Sequence, residues 1–438
     1  MINNSLIFLG KTIATVSKSL NRGNGSTWPG HVALKGNKNF IRDILSHSQT
    51  KVIIVAGTNG KTTTSALIRT GLEKSGKTVM QNTSGANLLN GVASTILLNT
   101  NAKGNLTQEY AIFEVDENAL PLVLDQVKPD YLILLNLFRD QLDRYGEIHT
   151  IAKKWQDAIK KIPNKTKLVL NADDPQIATI PVFSRIPELN LLYFGLEINQ
   201  NGEKNKSLHQ AADSISCPKC GNKLIFDSIT FSHLGKWKCS NCGLKHPKSE
   251  LDFYPIYPLP GTYNKYNAVA AALVLKEIGI NENQIKSAFS NFSPAFGRQE
   301  IIDFQDKKVQ LFLSKNPTSF NQSFATIKEL NAKTILLILN DRIPDGRDIS
   351  WIWDTELTGL ESFKNIFVSG DRVYDMALRL KYELGIMNYE KKVSTFENLK
   401  DAIMASIESL SENETLYLLP TYSAMLDARK ILTGKKIL

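Results

Sequence analysis

The segment Gly57-Thr58-Asn59-Gly60-Lys61-Thr62-Thr63 concentrates glycine, hydroxyl and lysine side chains in one short stretch. Glycines let backbone N–H groups turn inward onto anionic oxygens, and a helix starting at this point adds its positive end to the same anion. Lys61 would reach the outer phosphates of a nucleoside triphosphate, and the Thr62 hydroxyl would ligate Mg²⁺. Val55 stands where the strict Walker pattern has its first glycine, so the loop is a variant of that pattern. Glu114, in Phe113-Glu114-Val115-Asp116-Glu117, offers the hard carboxylate oxygen that a dication beside phosphates needs, although a lone acid at a strand end is more often a solvated edge charge. Arg298, in Phe296-Gly297-Arg298-Gln299-Glu300, has a planar fork suited to phosphate.

All four cysteines fall in one region: Cys217-Pro218-Lys219-Cys220, then 18 residues, then Cys239-Ser240-Asn241-Cys242-Gly243. Two pairs at this spacing supply the four tetrahedral positions of a structural Zn²⁺ and leave no open one for catalysis. Free thiols or a disulfide are the alternatives, and random cysteines seldom pair in this way. Lys219, Lys223, Lys236, Lys238, Lys245 and Lys248, with Phe231 and Trp237, would also permit stacking on nucleic acid. Charge runs are usually solvated faces, however, and no nucleic-acid partner is expected.

These residues need a scaffold. Val52–Ala56 is short, apolar and β-branched, runs into the glycine loop, and is followed by a helical pattern (Ala66, Leu67, Leu72) ending at Ser75-Gly76. Strands are expected again at Tyr110–Val115, Tyr131–Asn136 and Lys167–Leu170. The last delivers Asn171-Ala172-Asp173-Asp174-Pro175, which on its own reads as a simple turn. Gly261-Thr262-Tyr263-Asn264-Lys265-Tyr266-Asn267-Ala268 opens a further helix. Beyond Arg298 the alternation restarts, with strands expected at Val309–Leu313, Thr334–Asn340, Ile366–Ser369 and Thr415–Leu419, which makes a second α/β sheet. A length of 438 residues exceeds what one core supports. The expected division is a basic N-terminal segment at 1–50, a central domain at 51–300 and a C-terminal α/β domain at 301–438. The cysteine ribbon is inserted in the central domain at about 213–250, reached through the polar linker Asn199–Asp213.

Hydrophobic residues make up 42% and charged residues 22%, a globular composition far from a disordered one. The net charge is +9, and residues 1–50 hold six Lys or Arg against the single acid Asp43. Within that segment Leu6, Leu9, Ile13, Val16 and Leu20 follow helical spacing with Lys11 and Lys18 among the polar positions; a helix docked on its own domain is expected, with an interfacial membrane helix as the alternative. No basic residue precedes the apolar run Leu6–Leu9, and no stretch approaches the ~20 apolar residues of a span, so neither a secretory signal nor a membrane crossing is expected. A cytoplasmic protein follows, its basic surface drawn to a phosphate-bearing substrate or weakly to anionic lipid.

The loop Gly57–Thr63 resembles the form found in Mur ligases and folylpolyglutamate synthases, and the resemblance spans most of the chain. It implies an α/β fold with a Mur-ligase-like P-loop central domain carrying the inserted zinc ribbon, then a smaller α/β C-terminal domain. It also implies ATP and Mg²⁺, with Gly57, Thr58, Asn59, Gly60, Lys61, Thr62 and Thr63 on the phosphates and Thr62 and Glu114 on the metal. Asn171 and Asp174 would lie on the nucleotide side, Asn264 and Asn267 near the adenine, and Arg298 at the phosphates. The segment Asn136–Gly146 is similar to the family's Asp-His-Leu-Asp-x-His-Gly, with Gln141 and Tyr145 in place of its histidines. A second Mg²⁺ site and the carbamylated lysine of many Mur ligases are therefore left unassigned.

The C-terminal domain carries Asp345-Gly346-Arg347-Asp348-Ile349-Ser350-Trp351-Ile352-Trp353-Asp354 after an apolar strand, where open α/β sheets place their sites. With the ribbon, this motif resembles the synthetase subunits of lipid II isoglutaminyl synthases, one family of the Mur ligases. The resemblance implies ATP-dependent activation of the D-glutamate α-carboxylate in the lipid II stem peptide. It further implies ammonia from a GatD-type glutaminase partner and a D-isoglutamine product, made for peptidoglycan at the inner face of the membrane with peripheral contact there. Asp348 would complete the partner's Cys-His pair by fixing the imidazole tautomer, with Asp354 as runner-up. Without the resemblance, the alternative is that Asp345 and Asp348 merely flank Gly346 in a turn and pair with Arg347. No cysteine remains outside the ribbon to serve as a glutaminase nucleophile. The alternatives are an ordinary Mur or folylpolyglutamate-type amino-acid ligase, a P-loop ATPase or nucleic-acid reader, and a degenerate ligase scaffold.

Overall fold

The computed structural model describes residues 2–19, 27–82, 85–101, 103–139, 148–184, 186–187, 190–197, 212–294 and 297–434. Gln141, Tyr145, Phe296, Leu20 and most of the expected linker Asn199–Asp213 lie outside them. Six strands form one parallel sheet: β1 (Lys51–Ala56), β2 (Val79–Gln81), β3 (Tyr110–Val115), β4 (Tyr131–Leu134), β5 (Lys167–Asn171) and β6 (Leu191–Phe194), in the order β2-β3-β1-β4-β5-β6. Its strands are apolar on both faces because both faces are covered. Along β1, Val52, Ile54 and Ala56 join one core with helices Leu89–Asn99 and Ile148–Ile159. Ile53 and Val55 point the other way, into a core with helices Lys61–Lys74 and Thr262–Ile278. β1 is flanked by β3 and β4, so the strand order reverses there and a crevice opens at its carboxyl end. The glycine loop leaves β1 at that crevice.

The N-terminal segment is not a separate body, for Ile7, Ala33, Phe40, Ile41 and Ile44 share a core with β1 and β3. Its first helix, Ile2–Ser19, forms as expected but seats a different face. Ile7, Gly10 and Ala14 are buried, whereas Leu9 and Val16 are about half exposed, at 47% and 48%. Small residues win because the helix approaches Leu89–Asn99 closely: a Cβ on Gly10 would lie 2.5 Å from Leu97 Cδ1. Among the described residues no helix is long and apolar enough to cross a membrane.

A second sheet holds β9 (Arg298–Phe304), β10 (Lys307–Phe312), β11 (Thr334–Ile338), β12 (Asn365–Ser369), β13 (Val393–Thr395) and β14 (Thr415–Pro420), in the order β13-β12-β11-β14-β10-β9. It is parallel except for the β9–β10 hairpin, whose two turn residues Gln305 and Asp306 both have positive φ, the geometry that suits strand twist. Since β9 begins at Arg298, the C-terminal unit starts slightly before residue 301. Between the two sheets, β7 (Ile225–Phe231) and β8 (Leu234–Lys238) make the antiparallel hairpin of the cysteine region.

Candidate active site

The glycine loop is held open by its neighbours. Thr58 N donates to Asn136 O at 3.0 Å, Asn59 N to Asn136 Oδ1 at 2.9 Å, and Phe138 N to Thr58 Oγ1 at 3.0 Å. This explains why β4 stops at Leu134, short of Asn136: the following residues leave the sheet to clamp the loop. Gly60 adopts φ 91°, and a Cβ there would lie 2.2 Å from Asn267 Oδ1, so only glycine fits. The Lys61 ammonium is buried inside the loop, donating to the carbonyls of Gly57 and, at 3.1 Å, Thr58, and pairing with Glu117 at 3.2 Å. Glu117 escaped the sequence reading because nothing in its spacing sets it apart from Glu114 or Asp116.

Thr62 Oγ1 donates to Glu114 Oε2 at 2.6 Å. Glu114 is 2% exposed, and its other oxygen, Oε1, has no hydrogen-bond partner among the described residues. Burial pushes its carboxyl above the usual range against the pull of Thr62, Arg298 and Lys61. A buried carboxylate with one free oxygen beside a hydroxyl and a phosphate loop fits a hard dication. Thr62 and Glu114 are the residues that would hold Mg²⁺.

Loop, helix and C-terminal domain together wall an open cleft of about 800 Å³. Asn59, Gly60 and Thr63 line it from the loop, Asn264 and Asn267 from the helix Thr262–Ile278, Arg298 from β9, and Lys315 and Gln322 from the C-terminal domain. The Arg298 side chain makes no hydrogen bond or ion pair among the described residues, and its charge acts on the buried Glu114, so its fork is available to an anion beside that acid. Asn171 and Asp174 lie elsewhere. Asn171 Nδ2 donates to Leu135 O at 2.8 Å, while Asp174 caps the helix Pro175–Ala178 and accepts from Leu137 N at 2.8 Å. Both brace the 135–137 segment and neither is in the cleft wall.

The four cysteine sulfurs lie within 4.8 Å of one another, with Cys217–Cys242 at 3.6 Å and Cys220–Cys239 at 3.5 Å. Tetrahedral Zn²⁺ with ~2.3 Å bonds sets sulfurs about 3.8 Å apart, so the donor set fits such an ion. The two knuckles repeat one turn: Gly221 N donates to Cys217 O and Gly243 N to Cys239 O, each glycine at positive φ. Trp237 anchors the ribbon, its Nε1 donating to Ala172 O at 3.1 Å.

Asp348 is outside the cleft lining, exposed in the C-terminal domain. Hydrogen bonds from the Ser350 side chain and N–H hold its carboxyl below the usual range. The preceding Asp345 is buried and accepts from Ser423 N at 2.7 Å, fastening the loop to the helix Tyr422–Thr433. In the same chain segment Ile343 and Trp353 are exposed, and Trp353 meets Tyr382, from whose helix Leu378 and Tyr374 are also exposed.

A doubly wound sheet, a variant phosphate loop, a buried acid beside it and a cleft closed by a second α/β domain define a Mur-type ligase. Residues 55–275 match the Mur ligase middle domain, and residues 313–425 match the MurT ligase C-terminal domain. The chain is 32% identical over 437 residues to the lipid II isoglutaminyl synthase (glutamine-hydrolyzing) subunit MurT of Streptococcus pneumoniae, covering 95% of this chain and 94% of that one. Identity to the Staphylococcus aureus subunit of the same name is also 32%, over 86% of each chain. The chain belongs to the MurT family. Among solved structures, the fold is shared with a pseudomurein peptide ligase type C from Methanothermus fervidus (TM-score 0.66, 21% identity, 90% of this chain and 81% of that one). It is shared also with MurF from Acinetobacter baumannii (TM-score 0.62, 17% identity, 92% and 80%).

Proposed function

We propose that this protein is the synthetase subunit of a lipid II isoglutaminyl synthase: it uses ATP to convert the D-glutamate α-carboxylate of the stem peptide into a carboxamide, with ammonia supplied by a GatD-type glutaminase partner. The observation that carries the reading is the buried Thr62–Glu114 pair beside Lys61, within a chain that matches MurT relatives almost end to end. Asn59, Gly60 and Thr63 would seat the phosphates, and Lys61 would leave Glu117 and the loop carbonyls to meet them. When bound, Mg²⁺ supplies charge neutralisation on the transferring group. Arg298 approaches the same group from the C-terminal domain. The substrate carboxylate oxygen forms a bond to the γ-phosphorus as the bond to ADP breaks. Ammonia then attacks the acyl carbon, and phosphate leaves. Positioning and charge complementarity account for most of such a transfer.

Asp348 supports the partner assignment, being an exposed, ionised carboxylate on a loop fastened by Asp345, in a chain segment with exposed apolar side chains. A carboxylate so placed can orient a histidine across an interface. The four thiols are committed to the ribbon, which leaves the glutaminase nucleophile to the partner. The test is mass analysis of a lipid II-type substrate incubated with ATP, the co-purified partner and either glutamine or ammonia. Conversion of carboxylate to carboxamide is expected, and Lys61→Ala should abolish it while leaving the fold intact. A mass gain equal to an added amino acid would instead make the protein an ordinary amino-acid ligase.

A further inference from the structure

The cleft is chemically mixed. Gly60, Thr63 and Asn267 are among its polar lining residues, and Phe138, Phe231, Leu234, Leu259 and Tyr266 supply aromatic and apolar lining. Phe231 and Leu234 belong to the hairpin inserted in the central domain, and both are packed into that domain's core, at 5% and 1% exposure, where they border the cleft. They are the last residue of β7 and the first of β8, paired across the two-residue tip of the ribbon's hairpin. We propose that this tip is the surface against which the nucleobase of the bound nucleotide packs, so that the ribbon sets nucleotide affinity as well as holding itself together. The inference rests on the ATP reading above.

The tip is built to be a fixed wall. Phe231 lies stacked on Phe138 with ring centroids 5.9 Å apart and meets Tyr266 edge-on at 5.8 Å. His233, fully buried in the turn, sits 4.6 Å from the Phe138 ring. Gly235 N donates to Asp173 O at 3.1 Å, and Asp173 in turn accepts from Tyr266 OH at 2.5 Å and faces His246 at 2.7 Å. A Cβ on Gly235 would lie 2.1 Å from Ser228 O, so the hairpin closes without room for a side chain there. Two residues beyond Gly235 on β8, Trp237 packs with Cys217, Leu224 and Cys239 of the ribbon and with Ala178. A continuous run of contacts therefore leads from the thiol cluster through β8 to the cleft.

The wall is also tied to the phosphate end, because the Phe138 whose ring stacks on Phe231 uses its N–H to hold Thr58. Phosphates seated on Gly57–Thr63 leave the rest of a nucleotide to extend along the cleft, and its aromatic lining is the part that matches the apolar face of a base. Stacking of this kind tolerates any base, since every base has a π-face.

The test is titration calorimetry on the full-length protein with its partner subunit, using MgADP and, as a probe without a base, magnesium tripolyphosphate. Phe231→Ala should weaken MgADP binding roughly tenfold, about 1.4 kcal/mol, and leave tripolyphosphate binding unchanged. Phe231→Leu, which keeps much of the apolar volume, should fall between Ala and the parent with the parent's metal content, whereas Phe231→Ala empties a buried core position and lowers the melting temperature, so its binding is read well below that temperature. Wild-type MgADP affinity in both folded variants overturns the proposal, as does an equal loss for both ligands. Lys61→Ala separates this from the ATP reading: it should lose both ligands. If it loses neither, the ATP reading itself fails, whereas loss in Lys61→Ala with unaltered Phe231 variants removes the base wall alone.

Discussion

Thr62→Val is the sharpest probe of the metal-binding pair. Valine keeps the branched shape and near-equal helix propensity, so the helix Lys61–Lys74 should form unchanged and only a hydroxyl is lost. That hydroxyl makes the 2.6 Å bond to Glu114 Oε2, and Oε1 has no partner among the described residues, so the variant leaves a 2%-exposed carboxyl with neither oxygen satisfied by them. Losing a hydrogen bond to an ionised group costs ~1.5–3 kcal/mol. The metal-free protein should therefore unfold at lower urea with an unchanged slope. The direction with pH follows from linkage. Burial raises the Glu114 pKa in the folded state, so stability from this group is full below the unfolded pKa and is lost as pH rises through the folded one. Removing the Thr62 donor raises that pKa further, and the gap between variant and parent should widen from weakly acidic to alkaline pH. Thr62→Ser should restore the bond. An unfolding curve for Thr62→Val within ~0.5 kcal/mol of the parent at every pH, with an unaltered Mg²⁺-dependent shift on adding ADP, would refute the reasoning.

Asp348→Asn should cripple glutamine-dependent amidation far more than amidation with added ammonia, read by product mass; equal losses would count against the partner role. Zinc stripped by a strong chelator under reducing conditions should open the ribbon core and red-shift Trp237 fluorescence, a change absent in Trp237→Phe; metal analysis showing full removal with no spectral change would contradict the anchoring described. Gly60→Ala should cost about 2 kcal/mol of stability and most nucleotide affinity, because φ of 91° disfavours any Cβ and Asn267 must move; unfolding and calorimetry would show it.

The parallel strands were readable because their apolar runs end in conspicuous polar motifs: β3 has the expected bounds, while β1 and β5 differ by one residue. β2 and β6 were missed, being only three and four residues long without such endings. The first helix misled because spacing of leucines was weighed and closeness of approach was not, and Gly10 and Ala14 win through smallness. At the site, Lys61, Thr62 and Glu114 converge as the motif order implied. Asn171 and Asp174 lie outside the cleft lining, their amide and carboxylate spent on the 135–137 backbone that follows the preceding strand, β4. Leu234 carried no signal, and Phe231 suggested only stacking on nucleic acid, as a hairpin tip reaches a cleft only through tertiary packing.

The two knuckles are copies of one turn, and each contributes half of a ligand set that neither can complete. Binding by such a site is binary, because two thiolates do not close a tetrahedron. A population short of zinc would therefore hold intact molecules beside opened ones, with no uniformly loosened form between them. Zinc supply would then act as a headcount of molecules with a complete nucleotide wall, and at limiting ATP the activity should rise in proportion to added zinc.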